Sequence, residues 1–171
     1  MTVPPSRDAP HRHWTAVIYT RMNPAMRWVL TSPVHRAFSG RAVLLGITGR
    51  RTGRTYEITV GYSQPSDHTI DVLVSDASNR TWWRNFVDGG PIRVVLRGQH
   101  RTGWAVAHRA PSPEFKRIAD RAIPGIVGAG GARRFFSIED YDVATGLTEE
   151  DLQRLEGFAV AVEITLDEPT D

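Results

Sequence analysis

Short segments with an apolar residue at every second position recur along most of this chain and constrain its fold more than any other feature. The pattern is strict from Arg54 to Tyr62 and returns at Ile70–Val74, Ile92–Leu96, Trp104–His108 and Phe158–Leu166. Val43–Thr48 is a nearly continuous apolar run, which is typical of a strand covered on both faces. Because successive side chains point to opposite faces of a strand, the pattern predicts six short antiparallel strands. We expect these strands to curl into a barrel, since closure removes exposed sheet edges.

Helix signals precede and interrupt these strands. Residues 14–40 are predicted to be largely helical, with Asn23 as an N-cap and Pro24 at the first helical position. Ser112 before Pro113, and Thr148 before three acidic residues, predict two helices ahead of the last strand. We therefore predict a mainly β (α+β) fold, a six-stranded antiparallel barrel with N-terminal helices and C-terminal helical insertions.

The 171 residues, 40% of them apolar, are enough for one domain with its own core. We predict a disordered N-terminus at 1–13 and a single domain at 14–171. Its expected parts are a helical preface at 14–40, the core barrel at 41–109, a helical insertion at 110–157 and a closing strand at 158–167. No apolar run approaches the ~20 residues that cross a bilayer, and the N-terminus has no hydrophobic signal core, so we expect a cytoplasmic protein.

The charge of the chain is divided unevenly. Residues 1–109 contain 15 arginines and six acidic residues, a net charge of +9, whereas residues 110–171 contain six basic and 13 acidic residues, a net charge of −7. A basic front half rich in guanidinium groups favours an anionic ligand. There is no cysteine, and the six histidines lack the spacing of a zinc site, so no metal is expected. No nucleic-acid-binding module is recognisable, so nucleic acid is not an expected partner.

Two motifs are candidate binding sites. Residues 49–54, Gly-Arg-Arg-Thr-Gly-Arg, form a glycine-bounded turn whose backbone N–H groups, hydroxyls and guanidinium groups suit a phosphate or carboxylate. The alternative is a solvated hairpin tip. Residues 80–86, Arg-Thr-Trp-Trp-Arg-Asn-Phe, place adjacent tryptophans beside Asn85 and Arg84, which would suit a planar heterocycle. Tryptophans also anchor helices to sheets, and we expect at least one of Trp82 and Trp83 to lie in the core.

Together these motifs resemble the deazaflavin-dependent nitroreductase family, whose members are split β-barrels similar to FMN-binding proteins. The resemblance covers about Ala42–His108 and rests on the order of the arginine turn, a strand that ends in Ser75, and the Trp-x-x-Asn segment. It implies binding of the deazaflavin coenzyme F-420 and hydride transfer from the reduced cofactor to a quinone, nitro compound or other activated acceptor. It further implies a set of cofactor-binding residues: Thr48, Arg50, Arg51, Thr52, Gly53, Arg54, Ser75, Trp82 and Asn85.

Within that set, the resemblance implies that residues 50–53 hold the cofactor's phosphate and the start of its acidic tail. Thr48 and Ser75 would lie near the deazaflavin ring, and Trp82 would pack beside it. The chain departs from the family at Tyr56, where a basic residue is common, and at Asp76, where a lysine is expected. An acid at position 76 would weaken the binding of an anionic tail unless Arg80 or Arg84 compensates.

Several alternatives remain open at the level of the sequence. No side chain need act as an acid or base, although Ser75 and Tyr141 are candidates. The same barrel could hold FMN or haem instead of F-420. A third hypothesis is a non-enzymatic protein that binds a hydrophobic or lipid-like ligand, with residues 14–38 touching a membrane. The glycine-rich segment 125–131 is predicted to be a flexible connection or lid, and the chain a monomer or a homodimer.

Overall fold

A computed structural model describes residues 42–126, 132–133 and 135–168. The predictions for the N-terminus at 1–13, for the helices and membrane contact within 14–40, and for most of the glycine-rich segment fall outside the described residues.

One antiparallel sheet of seven strands dominates the described part of the chain. The strands are β1 (Ala42–Thr48), β2 (Thr55–Gly61), β3 (Ser63–Ser66), β4 (Thr69–Val74), β5 (Gly90–Leu96), β6 (Gln99–Arg109) and β7 (Val160–Leu166). Their order across the sheet is β2-β1-β5-β6-β7-β4-β3. The mainly β architecture predicted from the alternation is therefore confirmed.

The sheet curls because its two ends are one continuous stretch of chain. Only Tyr62 separates β2 from β3, yet these strands lie at opposite ends of the strand order. The chain thus leaves one edge of the sheet and joins the other within a single residue. β2 and β4 are in contact but are not paired strands. We call this unpaired boundary between the two strands the seam.

The predicted number of six strands was wrong, because residues 63–66, which lack the alternating pattern, form a strand of their own. Pro65 and Ser66 belong to β3, which pairs with β4 through Ser63 opposite Asp71 and Ser66 opposite Thr69. The turn falls at residues 67 and 68 instead. Proline is tolerated there because β3 is an edge strand, where a missing N–H breaks no essential ladder bond.

On β6 the predicted period of two is present, but the large side chains occupy the outer face. Trp104 is 52% exposed, whereas Ala105 is fully buried in the barrel core. A β-carbon at Gly103 would lie 2.3 Å from the backbone oxygen of Thr165. The neighbouring strand β7 therefore leaves no room for a side chain at position 103.

Two clusters of buried side chains lie on opposite faces of the sheet. The barrel interior is filled by the inward residues of the strands together with Trp83 and Phe86. The second cluster lies between the sheet and the helices α1 (Pro113–Ile126) and α2 (Glu149–Arg154). Both helices start as the sequence predicts: Ser112 Oγ accepts from the N–H of Phe115, and Thr148 forms a reciprocal capping box with Asp151.

The last strand is shorter than expected and lies inside the sheet. β7 begins at Val160 and pairs with both β6 and β4. Phe158 precedes it, because its N–H donates to the carbonyl of Leu155 in the turn after α2.

Candidate functional site

The arginine turn, residues 49–54, is a closed structure held by its own backbone. The N–H of Gly49 donates to the carbonyl of Arg54 over 2.8 Å, and the N–H of Gly53 donates back to the carbonyl of Gly49 over 2.8 Å. Gly53 has φ of +65°, a conformation that glycine adopts without the steric cost of a side chain. The glycines of this motif thus have a local conformational reason.

Asn85 joins this turn to the Trp82–Phe86 segment, which forms a single 3-10 helix. Its Oδ1 accepts from the N–H of Arg50 over 2.8 Å, and its Nδ2 donates to the Tyr56 hydroxyl over 3.0 Å and to the carbonyl of Trp82 over 2.8 Å. The two motifs are therefore brought together, 35 residues apart in sequence. Asn85 uses both of its amide hydrogens within the protein, so it holds the site in place.

The donors that the turn leaves for a ligand differ from those expected. Its backbone N–H groups were expected to face an anion, but most donate within the protein, to Gly49, Arg54, Thr52 and Asn85. The N–H of Arg51 has no protein acceptor among the described residues. Arg51 and Arg54 are exposed, whereas the Arg50 guanidinium donates to Asp88 over 2.7 Å. Guanidinium groups, more than backbone amides, are therefore the donors that this turn presents to solvent.

Tyr56 lies against the turn at the start of β2. A β-carbon built on Gly49 would be 3.9 Å from Cε1 of Tyr56, so the ring borders the turn, and 38% of the residue is exposed. Burial raises the pKa of the phenol, and the hydrogen bond from Asn85 only partly offsets this. The hydroxyl therefore stays protonated at neutral pH.

A cavity of about 270 Å³ opens at the seam between β2 and β4. The structure brings two of the predicted ring-binding residues together here, Ser75 at the end of β4 and Trp82 on the 3-10 helix. The described residues that line this seam cavity are Thr59, Val60, Gly61, Leu73, Val74, Ser75, Arg80, Trp82, Ile126, Phe135 and Phe136. Its walls are thus mostly apolar, with a few hydroxyls and one guanidinium.

Unpaired strand edges border the seam cavity. β2 is the last strand in the sheet order, so its second edge has no strand partner among the described residues, and the pairing of β4 with β3 ends at Asp71. Residues 59–61 and 73–75 therefore present backbone N–H and C=O groups that no sheet ladder satisfies on that side. Thr59 also has a buried hydroxyl without a hydrogen-bond partner among the described residues. The cavity therefore offers unused donors and acceptors along apolar walls.

The two tryptophans separate into different roles. Trp83 is 5% exposed, and its Nε1–H donates to the carbonyl of Ala77 over 3.0 Å. The guanidinium groups of Arg84 and Arg109 lie 5.6 and 5.0 Å from the centre of its ring. Trp82 is half-buried and meets Phe86 edge-on at 6.3 Å. The expectation that at least one tryptophan lies in the core is confirmed for Trp83.

Two other predicted residues lie away from the seam cavity. Thr48 is on the outer face, where its Oγ1 is 3.4 Å from that of Thr55, and it lines a separate groove that contains Trp104. Tyr141 packs against the second cluster, beside α1. Its pKa is raised by burial and by the charges of Asp120 and Asp142. The structure does not bring either residue to Ser75.

Asp76, the departure expected to repel an anionic tail, is engaged in its own turn. It has φ of +55°, and its Oδ1 accepts from Asn79 Nδ2 over 2.8 Å and lies 3.4 Å from Ser78 Oγ. Its carboxylate is therefore hydrogen-bonded within this turn.

The sequence reading missed a buried ionic network under α1. Asp71 is fully buried on β4, and both of its carboxylate oxygens accept from Arg121, over 2.6 and 2.7 Å. Arg121 also donates to Glu163 over 2.5 Å, and Glu163 accepts from Arg117 one helical turn earlier. Burial acts to raise the pKa of Glu163, but the two arginines outweigh it and lower the pKa. The sequence signal for this network is an acidic residue within an apolar strand, together with two arginines four residues apart on α1.

The comparisons with known proteins are distant. No family model matches the sequence, and no curated protein matches it. Among solved structures, a candidate general stress protein 26 from Jannaschia sp. CCS1 aligns at 11% identity and a TM-score of 0.45, over 85% of this chain and 75% of that one. The FAD and heme binding protein from Mycobacterium smegmatis aligns at 12% identity and a TM-score of 0.42, over 82% of this chain and 75% of that one. The heme storage protein HutZ from Vibrio cholerae aligns at 14% identity and a TM-score of 0.41, over 81% of this chain and 92% of that one. Each TM-score is below 0.5, so the architecture rests on this chain's own strand order and register.

Within the described residues, no group of three or more histidine, aspartate or glutamate side chains is placed to hold a metal ion. No helix in this part of the chain is both long and apolar enough to span a membrane.

Proposed function

We propose that this chain binds coenzyme F-420 and passes a hydride from the reduced deazaflavin to a quinone, nitro compound or other activated small molecule. The proposal is based on two different surfaces that are linked in the structure. An apolar cavity with unused polar edges lies at one end of β2, and an exposed arginine turn lies at the other, tied to Trp82 through Asn85. A ligand with a planar ring and an anionic chain needs both.

The seam cavity suits a single ring system. Its volume of about 270 Å³ is just below the ~300–1,000 Å³ of most small-molecule sites, so a longer ligand would extend beyond it. Trp82 and Phe136 would contact the ring faces, while Ser75, Thr59 and the free strand edges would meet its carbonyl and N–H groups. These residues would orient the ring and exclude water. A bound deazaflavin supplies the hydride chemistry itself.

The arginine turn suits the anionic part of the same ligand. Thr59 lies four positions after Thr55 along β2, about 13 Å at the usual rise per residue. A sugar-alcohol linker and the reach of an arginine side chain would together cover that distance, so that a phosphate would meet the exposed Arg51 and Arg54. The net charge of +9 on residues 1–109 favours the approach of such an anion.

FMN would use the same ring and phosphate sites, and the absorbance spectrum of the purified protein would distinguish a flavin from a deazaflavin. Haem fits less well, because the described residues that line the seam cavity include no histidine, tyrosine or methionine to bind its iron. The hypothesis of a membrane-touching binding protein depends on residues 14–38, outside the described part of the chain.

The test is a fluorescence titration with F-420, comparing wild type with Arg51→Gln/Arg54→Gln. We expect micromolar binding that weakens at least about tenfold in this variant, since two charge-assisted contacts are lost. The matched control, Arg97→Gln/Arg133→Gln, removes the same charge from other exposed positions and should bind nearly as wild type. Oxidation of reduced F-420 by a simple quinone or a nitroarene, seen as the return of the oxidised cofactor's absorbance, would then report the reaction. No binding up to ~1 mM, worth only about 4 kcal/mol, would refute the proposal.

A further inference from the structure

Tyr56 has a hydroxyl proton that the described residues do not use. Asn85 Oδ1 accepts from the N–H of Arg50, which fixes the orientation of the amide and makes Nδ2 the donor toward Tyr56. The phenol oxygen is therefore an acceptor in this contact. Its own O–H has no acceptor among the described residues.

Two exposed arginines lie close to Tyr56 in the chain. The Tyr56 ring borders Gly49, two residues before Arg51, and Arg54 lies two residues before Tyr56 in the chain. The backbone N–H of Arg51 is also without a protein acceptor in the described part of the chain. A neutral O–H donor, an unused amide and two exposed guanidinium groups thus belong to one short stretch of surface.

We propose that Tyr56 is a ligand-binding residue whose O–H donates a hydrogen bond to an anionic oxygen, a phosphate or a carboxylate, held by the arginine turn. Asn85 orients the phenol by donating to its oxygen, so the proton is directed away from the protein. Accepting that bond also polarises the phenol, which strengthens it as a donor. Tyr56 would therefore select ligands that have an anionic handle over neutral ligands with the same ring.

This inference rests on the proposed function, and its test compares ligands that differ only in the anionic part. The probes are F-420 and the deazaflavin riboside that lacks the phosphate and acidic tail. The variant is Tyr56→Phe, which removes one oxygen. The control is Tyr62→Phe, which removes the same oxygen from a core tyrosine that is 4% exposed and does not line the seam cavity.

We expect Tyr56→Phe to weaken the affinity for F-420 about tenfold, the low end for a hydrogen bond to a charged group. Its affinity for the riboside should stay as in wild type, which also shows that the ring site is folded. Tyr62→Phe should bind each probe as wild type does. An unchanged affinity for F-420 in Tyr56→Phe would overturn the inference and leave the proposed function standing. Equal weakening of both probes would also overturn it, because the phenol would then act on the ring or on the fold.

Failure of wild type to bind F-420 would refute the proposed function, and a second ligand pair then decides the inference. FMN and riboflavin share a ring and differ by one phosphate. A preference of wild type for FMN that Tyr56→Phe loses would support the role of Tyr56. No preference for FMN in wild type would overturn it.

Discussion

At the scale of single residues, Asn85 does what no other side chain of its size could do. It accepts from the N–H of Arg50 and donates to both the Tyr56 hydroxyl and the carbonyl of Trp82. Aspartate would have no donor for the last two, and leucine would satisfy none of the three. The residue that the resemblance assigned to the cofactor thus positions the turn and the tryptophan segment relative to each other.

Replacing Asn85 with alanine should lower the free energy of unfolding by about 1–2 kcal/mol, because a backbone N–H and a carbonyl lose a partner that water only partly replaces. Urea denaturation measures this. Asn79→Ala is the control, since that amide pairs with Asp76 on an exposed turn, and it should cost below about 0.5 kcal/mol. Equal costs for the two variants would show that Asn85 does not hold the motifs together.

At the scale of secondary-structure elements, the docking of α1 on the sheet depends on charge as well as on apolar packing. Phe115 and Ile118 are fully buried against the sheet, while Arg121 reaches the buried carboxylate of Asp71 and the half-buried Glu163. The hydrogen bonds that Arg121 donates to Asp71 raise the pKa of Arg121 beyond its already high value, so the guanidinium stays charged. The helix ends at Ile126, which lines the seam cavity. This network therefore places one wall of the proposed ring site.

Arg121→Ala should destabilise the protein by about 3 kcal/mol, because it leaves Asp71 charged and buried without a partner. Arg117→Ala is a matched control on the same helix face, since Arg117 is half-exposed and forms its ion pair with Glu163. It should cost below about 1 kcal/mol. Thermal and urea unfolding of both variants give the comparison, and a cost for Arg121→Ala no greater than that for Arg117→Ala would contradict the role given to Asp71.

At the scale of the whole molecule, the curl of the sheet decides which residues share a cavity. Thr48 and Ser75 each end a strand, and the resemblance implies that both lie near one ring. The structure separates them: Ser75 lines the seam cavity, and Thr48 lines a groove of about 470 Å³ on the outer face. The ring can occupy only one of these places.

Ser75→Leu should abolish binding of the deazaflavin riboside, because the added side chain fills part of a cavity of about 270 Å³. Thr48→Leu adds comparable bulk to the outer groove and should leave the affinity for the riboside close to that of wild type. Fluorescence titration measures both affinities, with circular dichroism to verify folding. Loss of binding in Thr48→Leu alone would move the ring site to the outer face.

Sequence reasoning succeeded where the decisive interactions are local. The caps at Ser112 and Thr148 depend on contacts three residues away, and the strands at Ile70–Val74 and Ile92–Leu96 depend on a period of two. Sequence reasoning failed where the structure of a segment depends on a partner distant in the chain. Pro65 is part of a strand because that segment pairs with β4, and position 103 on β6 must be a glycine because the carbonyl of Thr165 lies too close for a side chain.

Neighbouring residues are enough to predict a mainly β chain with capped helices, a glycine-bounded arginine turn and a tryptophan segment, since each of these features depends on local interactions. Three further features depend on the tertiary structure. Asn85 joins the turn to the tryptophans, and most of the turn's amides are used internally. Ser75 and Trp82 share a cavity from which Thr48 is absent. The physical reason is that hydrogen-bond partners and cavity walls are set by which strands become neighbours when the sheet curls, and that depends on the packing of the whole chain.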